Sequence, residues 1–311
     1  MSLALSSPEL AGHRARVRVL GQRVEQGLGQ LISFTAVSLA LLGAATLLGL
    51  IFMLGQVQAE DRLLLGVLAL LAVGVLAVAW ALNLVAMRAA RRAVVSVTAR
   101  AAGDAAPTLA QDTGRLGAWL TAWQWLSVAS LVLGLVGAVP AALLDDSGSE
   151  LSMPVLLGLA VLTTLLTSGP VTVLNWLILS AVKGFFTRVT CAGPGQSPVT
   201  PAAQRVGPWL EFTRVILWLN LGGLVLYLLV LLGIGAFSLS DGGADESFRY
   251  WALPLALLVL AFGVLVAWVY GLLIRLIGDS RHFALQAAST LDLESLGQAY
   301  SRPLNVASPQ G

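Results

Sequence analysis

The chain has 311 residues, 57% of them hydrophobic and only 11% charged, against about 45–50% and about 25% in an average soluble domain. With a mean hydropathy of +0.85, too little charge is present to cover a water-soluble surface, and the low hydrophobicity that intrinsic disorder requires is missing. One Cys and two His argue against a disulfide framework, a multi-Cys zinc site or an iron–sulfur cluster, and leave little for any metal centre.

In chain order, Ser7-Pro8-Glu9 is a helix start signal. Val17, Leu20, Val24 and Leu28 then recur at helical spacing among Arg14, Arg16, Arg18 and Arg23. This pattern predicts an amphipathic helix lying on the membrane, its arginines on anionic headgroups of the inner leaflet. Six apolar stretches follow, at 29–55, 63–87, 117–143, 153–182, 211–238 and 251–274. Each reaches the roughly 20 residues needed to cross about 30 Å of hydrocarbon as a helix. Strands are excluded because open edges leave amides unsatisfied in lipid, and the runs lack the two-residue alternation of a membrane barrel. The fold class is therefore an all-α integral membrane protein with six transmembrane helices.

Charge alternates between the connections. Segments 1–28, 88–116, 183–214 and 275–311 hold 16 of the 18 Lys and Arg residues. The connections near 56–62, 144–152 and 239–250 hold only Arg62 and Arg249, with eight acids (Glu60, Asp61, Asp145, Asp146, Glu150, Asp241, Asp245 and Glu246). By the positive-inside rule both termini are expected in the cytoplasm. The first apolar run is too long for a signal-peptide core, so no cleavable signal is expected. An Arg-to-Lys ratio of 17 to 1 suggests a GC-rich bacterial genome, and hence the bacterial inner membrane.

Punctuation before the odd-numbered spans repeats. R-L-G-A-W-L (115–120) matches R-V-G-P-W-L (205–210), and Gln22-Arg23-Val24 echoes Gln204-Arg205-Val206. Each even-numbered span carries Trp80, Trp176 or Trp268, followed by Arg88, Lys183 or Arg275. Three parallel helical hairpins are expected, unlike the inverted repeats of many secondary transporters. The expected organisation is a cytoplasmic amphipathic helix (1–28), hairpin 1 with its linker (29–111), hairpin 2 with its linker (112–200), hairpin 3 (201–280) and a cytoplasmic tail (281–311), disordered past 301. The P-x-[DE]-x-x-[KR] signature of mitochondrial carriers is absent from the odd-numbered helices.

The string T-R-V-I-L-W-L-N-L-G-G-L-V-L (213–226), preceded by the R-x-G-x-W strings, resembles a family of small polytopic membrane proteins of cyanobacteria and chloroplast inner envelopes. The resemblance covers about 112–276. Members of that family carry no assigned function and have been proposed both as iron permeases and as protein-import components. Their usual four-span plan lacks the N-terminal hairpin present here.

Few residues in the spans offer chemistry. Ionisable residues inside spans normally mark ion paths, and the span interiors have none. Glu211 and Arg214 lie at the end of span five, where Arg214 can snorkel and Glu211 can pair with it or with a neighbouring Arg. Asn83, Gln124, Asn175, Asn220 and the span-four hydroxyls are expected to hydrogen-bond between helices. A sharper reading concerns T-S-G-P-V-T (167–172). Pro170 removes a donor and the hydroxyls give the helix room to bend, so Thr167, Pro170, Thr172, Asn175 and Asn220 are candidate cavity-lining residues. Cys191, in a Gly/Pro linker, has no His or acidic companion nearby. G-P-G-Q (193–196) lacks the Lys of a phosphate-binding loop.

No cofactor, bound metal or nucleic-acid partner is expected. The expected partners are the bilayer itself and other membrane-protein subunits. The first functional reading is a non-enzymatic structural, accessory or assembly subunit of a membrane complex. The second is a transporter or channel for a small solute or metal ion, built from three two-helix repeats. An intramembrane enzyme has no paired acids, His cluster, Ser-His or Ser-Lys pair at bilayer depth.

Overall fold

The computed structural model describes residues 7–56, 59–144, 153–193, 195–240 and 246–301. Side chains in most of 45–80, 134–160 and 231–259, and that of Thr167, lie outside the described ones. Among the described residues the chain forms six helices and no strand: α1 (Ser7–Gln56), α2 (Ala59–Ala101), α3 (Leu109–Leu144), α4 (Met153–Thr190), α5 (Thr200–Ser240) and α6 (Glu246–Ser301). Within α3, α4, α5 and α6, the stretches Leu109–Leu133, Val161–Thr190, Thr200–Val230 and Gly263–Gln298 are long and apolar enough to cross a membrane. By length and composition this is a membrane protein. The first two expected spans fall largely on side chains outside the described ones, as do the acidic connections and the tail past 301.

Each helix extends furthest beyond the apolar run read from the sequence at its basic end. α1 begins at Ser7, well before the first span, and α6 ends at Ser301, well after the last. At about 1.5 Å per residue, the 56 residues of α6 extend roughly 84 Å, far more than the hydrocarbon thickness. Hydropathy drops where arginines begin, but Ala, Arg, Leu and Glu all favour helix, so the backbone continues through the polar part. The expected N-terminal helix therefore runs unbroken into the first span. Val17 and Val24 of its apolar stripe are buried in protein at 0% and 2% exposure, where the sequence reading laid that stripe on lipid. The stripe finds protein to bury against.

The chain divides into two compact units. The first comprises Met1–Arg18, Arg92–Val206 and Ala284–Gly311, so it holds the whole α3–α4 hairpin, the first residues of α1 and α5 and the last residues of α2 and α6. α3 and α4 run antiparallel, as a ladder of contacts records. Thr113 meets Thr190 through their hydroxyls (2.8 Å), Gln124 Nε2 donates to Ser180 Oγ (2.7 Å), and Trp125 packs edge-on against Trp176 (5.7 Å). Polar contacts tie the remaining helix ends together. Glu294 accepts from Arg100 (3.3 Å) and pairs with Arg14 (3.5 Å), and Arg18 pairs with Asp104 (2.8 Å). Ser96 donates to Asp112, and Gln286 meets His13 (2.8 Å).

Two local devices set helix ends in this unit. α2 stops at a Schellman motif, in which Asp104 N–H donates to the Ala99 carbonyl (2.8 Å) and Gly103 N–H to that of Arg100 (3.2 Å). Gly103 adopts φ +81°, which only glycine takes at no cost. At the start of α5, the Asp292 carboxylate accepts from Val199 N–H (2.7 Å) and Thr200 N–H (2.9 Å). A residue of α6 thus caps the N-terminus of α5, while Pro201 takes the first turn, where its missing N–H costs nothing.

The second unit comprises Val19–Arg91 and Gly207–Phe283. Its contacts link α2 to α1 (Arg91 with Glu25, 2.8 Å), α1 to α6 (Phe34 with Trp268, 5.6 Å) and α6 to α5 (Arg281 with Glu211, 2.8 Å). Close approach occurs at Gly27, where an added Cβ would sit 3.0 Å from the Leu276 side chain. Glu211 also pairs with Arg214 at 3.6 Å, so it serves both arginines within its reach.

Candidate functional site

The residues singled out for a cavity in span four and its neighbours are placed as follows. Pro170 lies inside α4, exposed, and the helix runs through it without a break. Thr172 Oγ1 donates to the Ser168 carbonyl one turn back (2.8 Å) and faces the Ser127 carbonyl of α3 (3.5 Å). That hydroxyl is satisfied by backbone. Asn175 is exposed on α4 of the first unit, and Asn220 is exposed on α5 of the second. Neither amide has a hydrogen-bond partner among the described residues. The side chain of Thr167 lies outside the described ones.

A groove of about 360 Å³ lies elsewhere, on the α3–α4 hairpin near its basic end. Thr113, Gly114, Gly117 and Thr121 line it from α3, and Lys183 and Thr187 from α4. The α3 residues fall at helical spacing, so they share one face. Space exists there because two of them are glycines with nothing within 4 Å of an added Cβ. The Thr113–Thr190 hydroxyl pair (2.8 Å) joins the two helices beside it.

Lys183 is the only lysine in the chain. Its Nζ donates to Thr121 Oγ1 at 2.8 Å. Thr121 in turn donates its own proton to the Gly117 carbonyl (2.9 Å), which leaves a lone pair of its oxygen for the ammonium. An ammonium has three donors, and among the described residues the other two have no partner. Lys183 also takes part in no ion pair there. Arg115 and Arg188, next in the chain to Gly114 and Thr187, are exposed. Cys191, also exposed, completes one edge.

The groove can therefore hold a small anionic group by the charge and the two spare donors of Lys183, the threonine hydroxyls beside it being already committed to helix carbonyls and to each other. Among the described residues, no three His, Cys, Asp or Glu side chains come together as a metal ion would require. Gly195, in the G-P-G-Q segment, has φ +79° in a turn closed by Gln196 N–H to the Gly193 carbonyl (3.1 Å).

In the sequence, Lys183 stands out only as the basic residue following Trp176. The lone lysine among arginines was one signal for this site. The spacing of Gly114, Gly117 and Thr121 was another. What could not be read is that Lys183 reaches Thr121, because that contact joins residues 62 positions apart. Comparison with protein-family models, with curated proteins and with solved structures finds no match for this chain.

Proposed function

We propose that this chain is a non-enzymatic structural or accessory subunit of a bacterial inner-membrane complex. In this reading it crosses the bilayer six times as three hairpins, with both termini in the cytoplasm. The charge distribution supports the orientation, since 16 of 18 basic residues fall on the segments assigned to the cytoplasm. The subunit reading rests on one observation above all. Asn220 is exposed on a strongly apolar stretch of α5, without a hydrogen-bond partner among the described residues, beside Trp218 and Leu219, which are 54% and 70% exposed.

A side-chain amide facing hydrocarbon loses its water hydrogen bonds and gains none, and within membranes such groups bond across to another helix. Asn175, also exposed and without a partner among the described residues on α4, presents the same chemistry. A neighbouring polypeptide satisfies both amides where lipid does not. The alternative, a transporter or channel for a small solute or metal ion, has the candidate polar bend at Thr167–Thr172 in its favour. There Thr172 bonds to backbone carbonyls.

Gentle detergent extraction from native membranes tests the proposal. The expected result is copurification with a stoichiometric partner, another chain or a second copy. Asn220→Leu should weaken that association about fivefold, the factor that roughly 1 kcal/mol gives. A lone monomer that moves solute across liposome membranes would defeat the proposal and establish the transporter.

A further inference from the structure

Three helix pairs each carry one contact in which a cation of the later helix reaches a polar group in the N-terminal half of the earlier one. In α1–α2 it is Arg91 to Glu25 (2.8 Å), and in α5–α6 it is Arg281 to Glu211 (2.8 Å). In α3–α4 it is Lys183 to Thr121 (2.8 Å). Two of the three cations are neutralised by a carboxylate. The third meets a hydroxyl that carries no charge.

The uncompensated cation is also the one beside open volume. Around Lys183 the side chains shrink to Gly114, Gly117 and Ala118, and the polar atoms are hydroxyls of Thr113, Thr121 and Thr187. Two ammonium donors remain for a ligand. The one nearby acid on α3, Asp112, is buried and engaged by Ser96. Where the other pairs hold a carboxylate of the protein, this one leaves room for an anion from outside.

We propose that the Lys183 groove binds a phosphate group, as carried by an anionic lipid headgroup or by free inorganic phosphate. The tetrahedral anion takes the two spare ammonium donors. Exposed Arg115 and Arg188 raise the local potential that draws it in. Basic pockets between membrane helices on the cytoplasmic side are suited to such headgroups. The proposal does not depend on whether the chain has a protein partner.

The test uses the full chain, purified and delipidated in detergent. Binding of phosphatidylglycerol is titrated by native mass spectrometry, with and without millimolar inorganic phosphate. The expected result is one saturable phosphatidylglycerol site that Lys183→Gln weakens about tenfold, a factor in keeping with loss of one charge-assisted bond. Lys183→Arg should retain binding. Gly117→Leu, which fills the groove where nothing stands within 4 Å of the added Cβ, should weaken it comparably while leaving the cation in place.

Competition by inorganic phosphate would assign the site to the free ion, and its failure would assign it to the lipid; both support phosphate recognition. Phosphatidylglycerol binding in Lys183→Gln that equals that of the unaltered chain would overturn the proposal, as would the absence of a saturable site. So would loss in Lys183→Gln without loss in Gly117→Leu, which would reduce the effect to surface charge. Arg275→Gln, outside the groove, serves as the charge-matched control and should bind as the unaltered chain does.

Discussion

The basic helix ends of the first unit and the apolar lengths of the helices obey opposite rules. At the ends, Val97, Val189, Ala203 and Ala287 are fully buried, and the acids Asp112, Asp292 and Glu294 all find donors. Along the apolar lengths, Leu133 and Leu219 are each 70% exposed and Leu166 is 66% exposed. In water that second pattern would be an aggregation hazard. In lipid it costs nothing, because hydrocarbon chains solvate leucine as well as protein does. The contrast teaches that one chain contains a water-type core, assembled by burial and ion pairs, continuous with segments that bury little of themselves.

That contrast predicts how substitutions divide. Phe185, 3% exposed, belongs to the close-packed end, and Phe185→Ala should lower stability by about 3–5 kcal/mol. Leu133→Ala, at a 70% exposed position, should change it by less than about 0.5 kcal/mol. Thermal unfolding in detergent measures both, and equal effects would erase the distinction.

Next in size is Glu294→Gln. It removes the charge shared by Arg14 and Arg100, whose side chains are about a third exposed against 14% for the acid. With partial solvent screening, a loss of about 1–3 kcal/mol is expected. A smaller loss in Leu133→Ala than in Glu294→Gln would sharpen the comparison, since both then respond to burial.

A backbone effect of comparable or smaller size should come from Gly103→Ala. It places a side chain at φ +81° and sets its Cβ 2.8 Å from the Arg14 guanidinium carbon. The left-handed conformation alone costs about 1–2 kcal/mol, while the arginine can shift. Hydrogen exchange of the Asp104 and Ala102 amides should report fraying of the end of α2.

Local signals in the chain carried much of this. Ser7-Pro8-Glu9 marked the start of α1, and Gly103 stands just past the end of α2, where a left-handed residue was needed. The apolar runs placed the distal ends of α3 to α6 within a few residues. The lengths of the helices were not legible, because hydropathy marks where lipid ends and not where the backbone stops being helical. Nor were the partners of Glu294 and Asp292, which meet residues distant in sequence. For the candidate site, Lys183 was visible as an odd residue, but its lack of an acid became visible only beside the Arg91–Glu25 and Arg281–Glu211 pairs.

The central claim is that these helices cross a bilayer with their basic ends in the cytoplasm, and Cys191 tests it without mutation. It is the only cysteine, it is exposed, and it lies just past the basic end of α4. A membrane-impermeant maleimide applied to sealed bacterial inner-membrane vesicles should label it fully in inside-out preparations and leave it unlabelled in right-side-out ones. Labelling in intact right-side-out vesicles would contradict the account.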